Sequence, residues 1–281
     1  MVARLLLALL LVAQAAPAEV VRFPRPEFEG DRRSAYGLDL LKLALSKVSA
    51  DYRVELAEFP MNQERQMLEL EAGRTIDVAP LPSAADREAR LLAVYIPMNK
   101  GVLGWRVGLI RKGDTARFAD VNSLDDLKQV RLAQGLYWPD TDILRANGIP
   151  VIIGSTYEGL FKLIVDSRFD YFPRSVMEIW KELDSNADAL EVEPHIALHY
   201  PYYTSYYMLN RGNTKLAETI RQGLEKALAD GSFDRLFEQH HRESLRRAQL
   251  DKRVVIELKN PLVTPGTPVN RPELWYDLRR K

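Results

Sequence analysis

Residues 202–241, YYTSYYMLNRGNTKLAETIRQGLEKALADGSFDRLFEQHH, constrain the fold more than any other stretch. Ser205 to Leu209 is aromatic and β-prone, and Arg211-Gly212-Asn213 is a turn signal. Leu216, Ala217, Ile220, Leu224, Ala227 and Leu228 then recur with helical spacing. Asn213 or Thr214 is suited to cap that helix and Gly231 to end it. Ser232 is suited to cap a second helix that buries Phe233, Leu236 and Phe237. By composition alone this is a packing unit, a strand and two helices whose apolar faces need other elements to lie against.

The rest of the chain supplies those elements. A strand at Val20 to Phe23 precedes a loop, PRPEFEGDRRSAYG, and a helix from about Leu38 with Leu41, Ala44, Leu45 and Val48 on one face. Strands at Tyr52 to Leu56 and Ile76 to Ala79 flank a helix over Met61 to Ala72 that Gly73 ends. After GVLGWRVGLIRK a new unit begins, with a helix opening at SLDDLK and strands at Val130 to Gln134, Val151 to Ile153 and Asp170 to Phe172. Helices over Asp140 to Asn147, around Leu160 to Val165 and around Val176 to Leu183 alternate with them. Such alternation predicts a parallel α/β sheet. A last strand, Val254 to Leu258, and a proline-rich run, NPLVTPGTPVNRPELWY, close the chain; Leu258, Leu262, Leu274, Trp275 and Tyr276 require burial there.

The chain is long enough, at 281 residues, for two lobes of ordinary size. Lysine plus arginine equal aspartate plus glutamate, 39 against 39, which gives no support to nucleic-acid binding. The start, MVARLLLALLLVAQAAPAEVV, has a basic residue, a short apolar core and an Ala16-Pro17-Ala18 cleavage pattern, so residues 1–18 read as an export leader cut after Ala18. There is no cysteine, which removes disulfides, thiolate metal sites and a lipid-modified cysteine anchor. A soluble, periplasmic mature protein is expected.

Four landmarks resemble one family in their order: the SLDDLK helix start, the GRTIDVA and SRFDYF strands, and LADGSFDRLF. Together they resemble the amino-acid-type periplasmic solute-binding proteins, extracellular solute-binding family 3, over about Val20 to His241. The resemblance implies an α/β, two-lobed clamp of the type II periplasmic-binding kind with two hinge crossings, near Trp105 to Leu109 and Thr204 to Met208. Lobe one then comprises residues 19–104 and 204–248, lobe two residues 105–203, and residues 249–281 form an extension expected to pack on lobe one. It also implies a small-molecule ligand, an ABC permease or membrane sensor as partner, a monomer, and no enzymatic activity. A dehydratase-like enzyme on the same fold and a ligand-free interaction module are the rival readings.

In the resembled family an arginine at the place of Arg87 forms a paired contact with a ligand carboxylate, which a guanidinium fork matches well. Arg87 also fits a plain surface arginine beside Glu88 and Arg90, and Pro80 and Pro82 replace the hydroxyl side chains usual in the preceding loop. Arg174, in DYFPRSVMEIW, stands where the family places an aspartate for the ligand ammonium. That reversal favours an anionic or carboxylated ligand, although Arg174 fits equally an ion pair with Glu178. In the loop QGLYWPDT, Gly135 allows close backbone approach, Trp138 can wall the cleft, and Asp140 or Thr141 can cap a helix. Arg25 and Phe28, after the first strand, complete the candidates. The histidines at 195, 199, 240 and 241 have no metal-ligating spacing, no phosphate loop or GxSxG elbow is present, and neither a cofactor nor an acid/base pair is indicated.

Overall fold

The computed structural model describes residues 18–28 and 33–276. The leader expected over residues 1–18 lies outside them except for Ala18. In chain order the first part comprises β1 (Glu19–Arg25), α1 (Ala35–Ser46), β2 (Tyr52–Pro60), α2 (Gln63–Ala72), β3 (Val78–Pro82), α3 (Ala85–Arg90) and β4 (Leu92–Val94). The middle comprises β5 (Trp105–Arg111), α4 (Leu124–Leu127), β6 (Leu132–Gly135), α5 (Asp140–Ala146), β7 (Val151–Gly154), α6 (Tyr157–Val165), β8 (Phe172–Ser175), α7 (Ile179–Asp184), β9 (Leu190–Val192) and β10 (Ile196–His199). The chain then forms β11 (Ser205–Leu209), α8 (Thr214–Ala229), α9 (Ser232–Ala248) and β12 (Val254–Glu257).

Two groups of sheets result. The first contains the parallel pair β1–β2 and the antiparallel sheet β3–β11–β4. The second contains β12–β10–β5–β8, with β9 also on β5, and the parallel pair β6–β7. The sheets are mixed rather than wholly parallel, because β5 and β11 return the chain against their neighbours' direction. β11 is central in its sheet and buried on both faces. Tyr207 and Leu209 face one apolar cluster with Leu40, Leu41, Ile220 and Leu224, and Tyr206 and Met208 face another with Met67, Leu70 and Leu81. Two buried faces explain why SYYML shows no alternation. Pro80 and Pro82 lie in β3, at the edge of that sheet, where missing amide donors are tolerated.

Local signals behaved as chemistry dictates. Asn62 caps α2 through Arg65 N–H at 2.9 Å, Ser123 caps α4, and Gly73 ends α2 in the left-handed region at φ 62°. The cap expected at Ser232 is displaced: Gly231, at φ 72°, takes the cap position and Ser232 begins α9. Arg174 lies within β8 and not at a helix start, since the strand expected over Asp170 to Phe172 runs four residues from Phe172.

β5 belongs wholly to the second sheet group and β11 wholly to the first. The crossings are therefore the short turns before each, and they bond to one another. Met98 N–H donates to Ser205 O, Tyr200 N–H to Gly104 O, and Thr204 Oγ1 to Asn99 Oδ1 at 2.7 Å. The extension departs from expectation. Its strand β12 pairs in parallel with β10, Ile196 opposite Val254, and so completes the second sheet group instead of packing on the first. β10 offers an apolar edge, and Val254, Ile256 and Leu258 cover it. Only the later residues return to the first group, where Arg271 pairs with Glu225 of α8 at 2.6 Å. No described helix is long and apolar enough to cross a membrane.

α8 and α1 pack with backbone contact at Gly223, where a Cβ would lie 1.9 Å from Ala44 O. Gly223→Ala should therefore push the two helices apart and destabilise the protein by about 1–3 kcal/mol, measured by urea unfolding; a neutral result would mean the helices slide freely.

Candidate functional site

Between the two sheet groups lies a cleft of about 1250 Å³. The first group lines it with Arg25 at the end of β1, with Phe28 in the loop that follows, and with Tyr36, Asn62 and Gln63. The second lines it with Trp138, Asp140, Tyr157, Arg174, Glu178 and Glu182. The aromatic rings close one wall: Phe28 stacks on Tyr157 from the opposite side of the cleft, with centroids 5.9 Å apart and planes at 22°. Trp138 lies parallel to Phe172 at 6.3 Å.

Arg174 is buried, and its charge is matched within the protein. Its Nε donates to both oxygens of Glu182 at 2.8 and 2.9 Å, its Nη2 to Glu182 Oε1 at 2.6 Å, and Glu178 stands 3.1 Å away. The guanidinium also lies over the Trp138 ring, 4.7 Å from its centroid. Burial opposes the charge, but attraction to Glu182 and then Glu178 outweighs it and raises the Arg174 pKa. The ion pair with Glu178 that the spacing allowed is thus present, and Glu182 is the stronger partner. Tyr157 O–H donates to Glu182 as well, at 3.0 Å.

A second buried arginine, Arg106 on β5, was not singled out from the sequence. Its Nη2 lies 2.7 Å from Asp140 Oδ1 and its Nη1 3.7 Å from Glu178, and it faces the rings of Tyr200 and Tyr203 at 5.6 and 5.5 Å. Tyr203 O–H donates to Asp140 Oδ2 at 3.0 Å. Arg106 Nε has no hydrogen-bond partner among the described residues. The available signal was a lone charge within the apolar strand WRVGLI, since a charge inside such a strand requires partners. Asp140 therefore serves as the counter-ion of Arg106 and not as the cap of α5, whose N-cap position is Pro139.

Arg87 is not among the residues that line the cleft, where the resemblance would have it meet a ligand carboxylate. It is buried behind the lining, where Nη1 donates to Pro82 O at 3.2 Å and Nη2 to Gln63 Oε1 at 3.1 Å and Tyr137 O at 3.4 Å. The last bond joins the first sheet group to the loop after β6. Burial lowers its pKa. Gly135 also has a different reason for being glycine: a Cβ there would lie 2.5 Å from Trp138 Cε2, so the residue seats the indole. Thr141 is buried off the cleft, its Oγ1 without a partner among the described residues. Arg25 and Phe28 do line the cleft; Arg25 Nε donates to Ala57 O at 2.8 Å, and its Nη atoms have no partner among the described residues.

The histidines have neighbours within the protein, His195 among them, with Nε2 3.1 Å from Asn122 Oδ1. His199 stacks on Trp105 at 4.1 Å and His240 pairs with Asp39 at 3.2 Å. His241 is buried against Tyr36 and Phe237, and burial, with His240 nearby, lowers its pKa to about 4. No group of histidine, aspartate and glutamate suited to a metal ion occurs among the described residues.

No known family profile matches the sequence, and no curated protein matches it significantly. Solved structures do resemble it in shape. An ancestral arginine-binding protein bound to arginine superposes with a TM-score of 0.58 at 18% identity, over 79% of this chain and 97% of its own. A Salmonella typhimurium periplasmic binding protein of high arginine specificity matches with a TM-score of 0.58 at 16% identity, over 79% and 99%. An ancestral amino-acid-binding protein, described as a precursor of cyclohexadienyl dehydratase, matches at 0.57 and 16% over 79% and 94%. The chain thus has the two-lobed α/β fold of periplasmic amino-acid-binding proteins, and the two sheet groups are its lobes.

Two measurements follow. Glu182→Gln leaves Arg174 buried with Glu178 alone and should cost about 3 kcal/mol of stability in urea unfolding, whereas an unchanged midpoint would show the pair to be idle. For His241 the folded pKa lies below the unfolded value near 6.5, so between those values the unfolded chain binds more protons. Stability should fall as pH drops from 6.5 and level off below about 4, by at most about 3 kcal/mol from this group. His241→Phe should flatten that segment of the pH–stability curve; an unaltered slope would assign it to other groups.

Proposed function

We propose that this protein is an exported, periplasmic solute-binding protein whose lobes close on a small carboxylated ligand and present it to an ABC permease or a membrane sensor. In this reading residues 1–18 are a removable leader, residues 19–104 with 204–248 form lobe one, residues 105–203 form lobe two, and the mature chain is a monomer. The carrying observation is the cleft itself, which draws aromatic and charged side chains from both lobes. Structures of the same fold hold arginine or glutamine, which agrees with an amino-acid-sized ligand.

The ligand charge proposed here is supported by the balance of charges that line the cleft. Its lining carries Arg25, Arg33, Arg106, Lys162, Arg174 and Lys181 against Glu27, Asp140, Glu158, Asp166, Glu178 and Glu182. Six against six gives no net field for a dianion. Arg174 and Arg106 already hold carboxylates, so Arg25 is the donor proposed for a ligand carboxylate. Glu178, 23% exposed in its side chain, is the acceptor proposed for a cationic or hydroxyl group on the same molecule. Phe28, Trp138 and Arg174 form the walls, and Arg87, Gly135 and Thr141 support them from behind. The aspartate missing at position 174 is thereby replaced by Glu178 and Glu182, which removes the objection to a zwitterion.

The test is calorimetry with mono- and dicarboxylates, amino acids and sugars. Arg25→Gln should weaken a carboxylated ligand by about ten- to a hundredfold, the worth of one charged hydrogen bond. A tight neutral ligand indifferent to Arg25→Gln would end the carboxylate assignment, and turnover of any candidate would favour the enzyme reading.

A further inference from the structure

The two passages between the lobes share an unusual backbone. Lys100 and Gly101 in the first lie at φ 50° and 76°, and Tyr202 in the second at φ 59°. One residue of the C-terminal tail touches both. The Trp275 indole covers Gly101 so closely that a Cβ there would lie 2.7 Å from its Cε3. The same ring meets Tyr202 edge-on, with centroids 5.1 Å apart and planes at 82°. Its orientation is set by Nε1–H donating to Pro268 O at 3.0 Å, and the next residue, Tyr276, donates its N–H to Lys100 O at 2.8 Å.

The segment that delivers Trp275 is tied to both lobes. It starts at β12 in the sheet of the second lobe, and Asn260 Nδ2 then donates to Pro201 O at 2.8 Å, within the second passage. Thr264 Oγ1 donates to Glu88 at 2.6 Å, and Arg271 grips Glu225 through two bonds of 2.6 and 3.0 Å, both on the first lobe. α9 braces the flank in the same sense. Asp234 near its start holds Lys100 at 2.5 Å, and near its end Ser244 O accepts from Trp180 Nε1 of the second lobe at 3.0 Å.

Lobe rotation in a two-lobed protein is absorbed by φ/ψ changes at a few residues in the passages. Here those residues are held from outside by the tail. We propose that the C-terminal tail is a hinge bolt: Trp275 clamps both passages, the lobes keep one angle while it is seated, and the cleft widens when it lifts. The tail has no other role in the function proposed above, and the bolt needs no ligand to act.

The chain contains no cysteine, so two can be introduced cleanly. Glu64→Cys on α2 and Gln129→Cys after α4 are exposed and lie on opposite lobes. Spin labels on them, in the whole mature chain without ligand, report lobe separation by electron–electron dipolar spectroscopy. The parent should show one narrow distance distribution. Trp275→Ala should add a population at longer distance, and Trp275→Phe, which keeps a ring over Gly101, should restore most of the parent distribution. Should Trp275→Ala fail to fold, Asn260→Ala with Thr264→Ala and Arg271→Ala cuts the side-chain ties of the tail to the second passage and the first lobe without changing a core residue, and the same shift is expected. A broad distribution in the parent, or a parent-like distribution in a folded variant of either kind, overturns the bolt. Either result leaves the ligand measurements standing, because none is used here.

Discussion

The floor and second-lobe wall of the cleft depend on one buried ionic network. Arg106 on β5 and Arg174 on β8 share Glu178, and each has a further carboxylate of its own, Asp140 and Glu182. Its members come from β5, α5, β8 and α7, so the pairs fix the loop after β6 and the start of α7 relative to the central strands. A buried pair is not a large net source of stability, because desolvation offsets the attraction, but removing one partner leaves an isolated charge in the interior. The network therefore acts mainly on shape. It holds Trp138 under the Arg174 guanidinium and Tyr157 on Glu182, and both aromatic walls follow from it.

Much of the fold was legible in the sequence, for identifiable reasons. Helices α8 and α9 announced themselves through apolar spacing, and β1, β2 and β12 through runs of branched and aromatic residues. Strand positions near 76–82 and 170–175 were shifted toward the N-terminus, because Pro80, Pro82 and Pro173 read as loop residues although each occupies a strand. Prolines that give up no ladder bond are compatible with strands, and only pairing partners reveal that.

The site was less legible than the scaffold. Arg25, Phe28, Trp138 and Arg174 do reach the cleft. Their partners were beyond local reading: Glu182 is eight residues from Arg174, and Asp140 is far from Arg106 in the chain. Arg87 illustrates the opposite limit. It lies in α3, and its guanidinium turns to Gln63 and Tyr137, a choice made by tertiary neighbours. Gly135 was read for backbone approach to a ligand, and it proves to be small because an indole rests on it.

The pairing of β12 with β10 has a consequence for biosynthesis. The second lobe is assembled from the middle of the chain, but one strand of its sheet is among the last segments to be made, and Ile196 must wait for Val254. Until then β10 presents an open apolar edge, the kind of surface that invites pairing with another chain. Folding of the nascent protein thus cannot proceed one lobe after the other. The first lobe also closes late, through β11 and α8, so both halves reach completion within the same final stretch of synthesis, and the interval before it is when the chain most needs protection from aggregation.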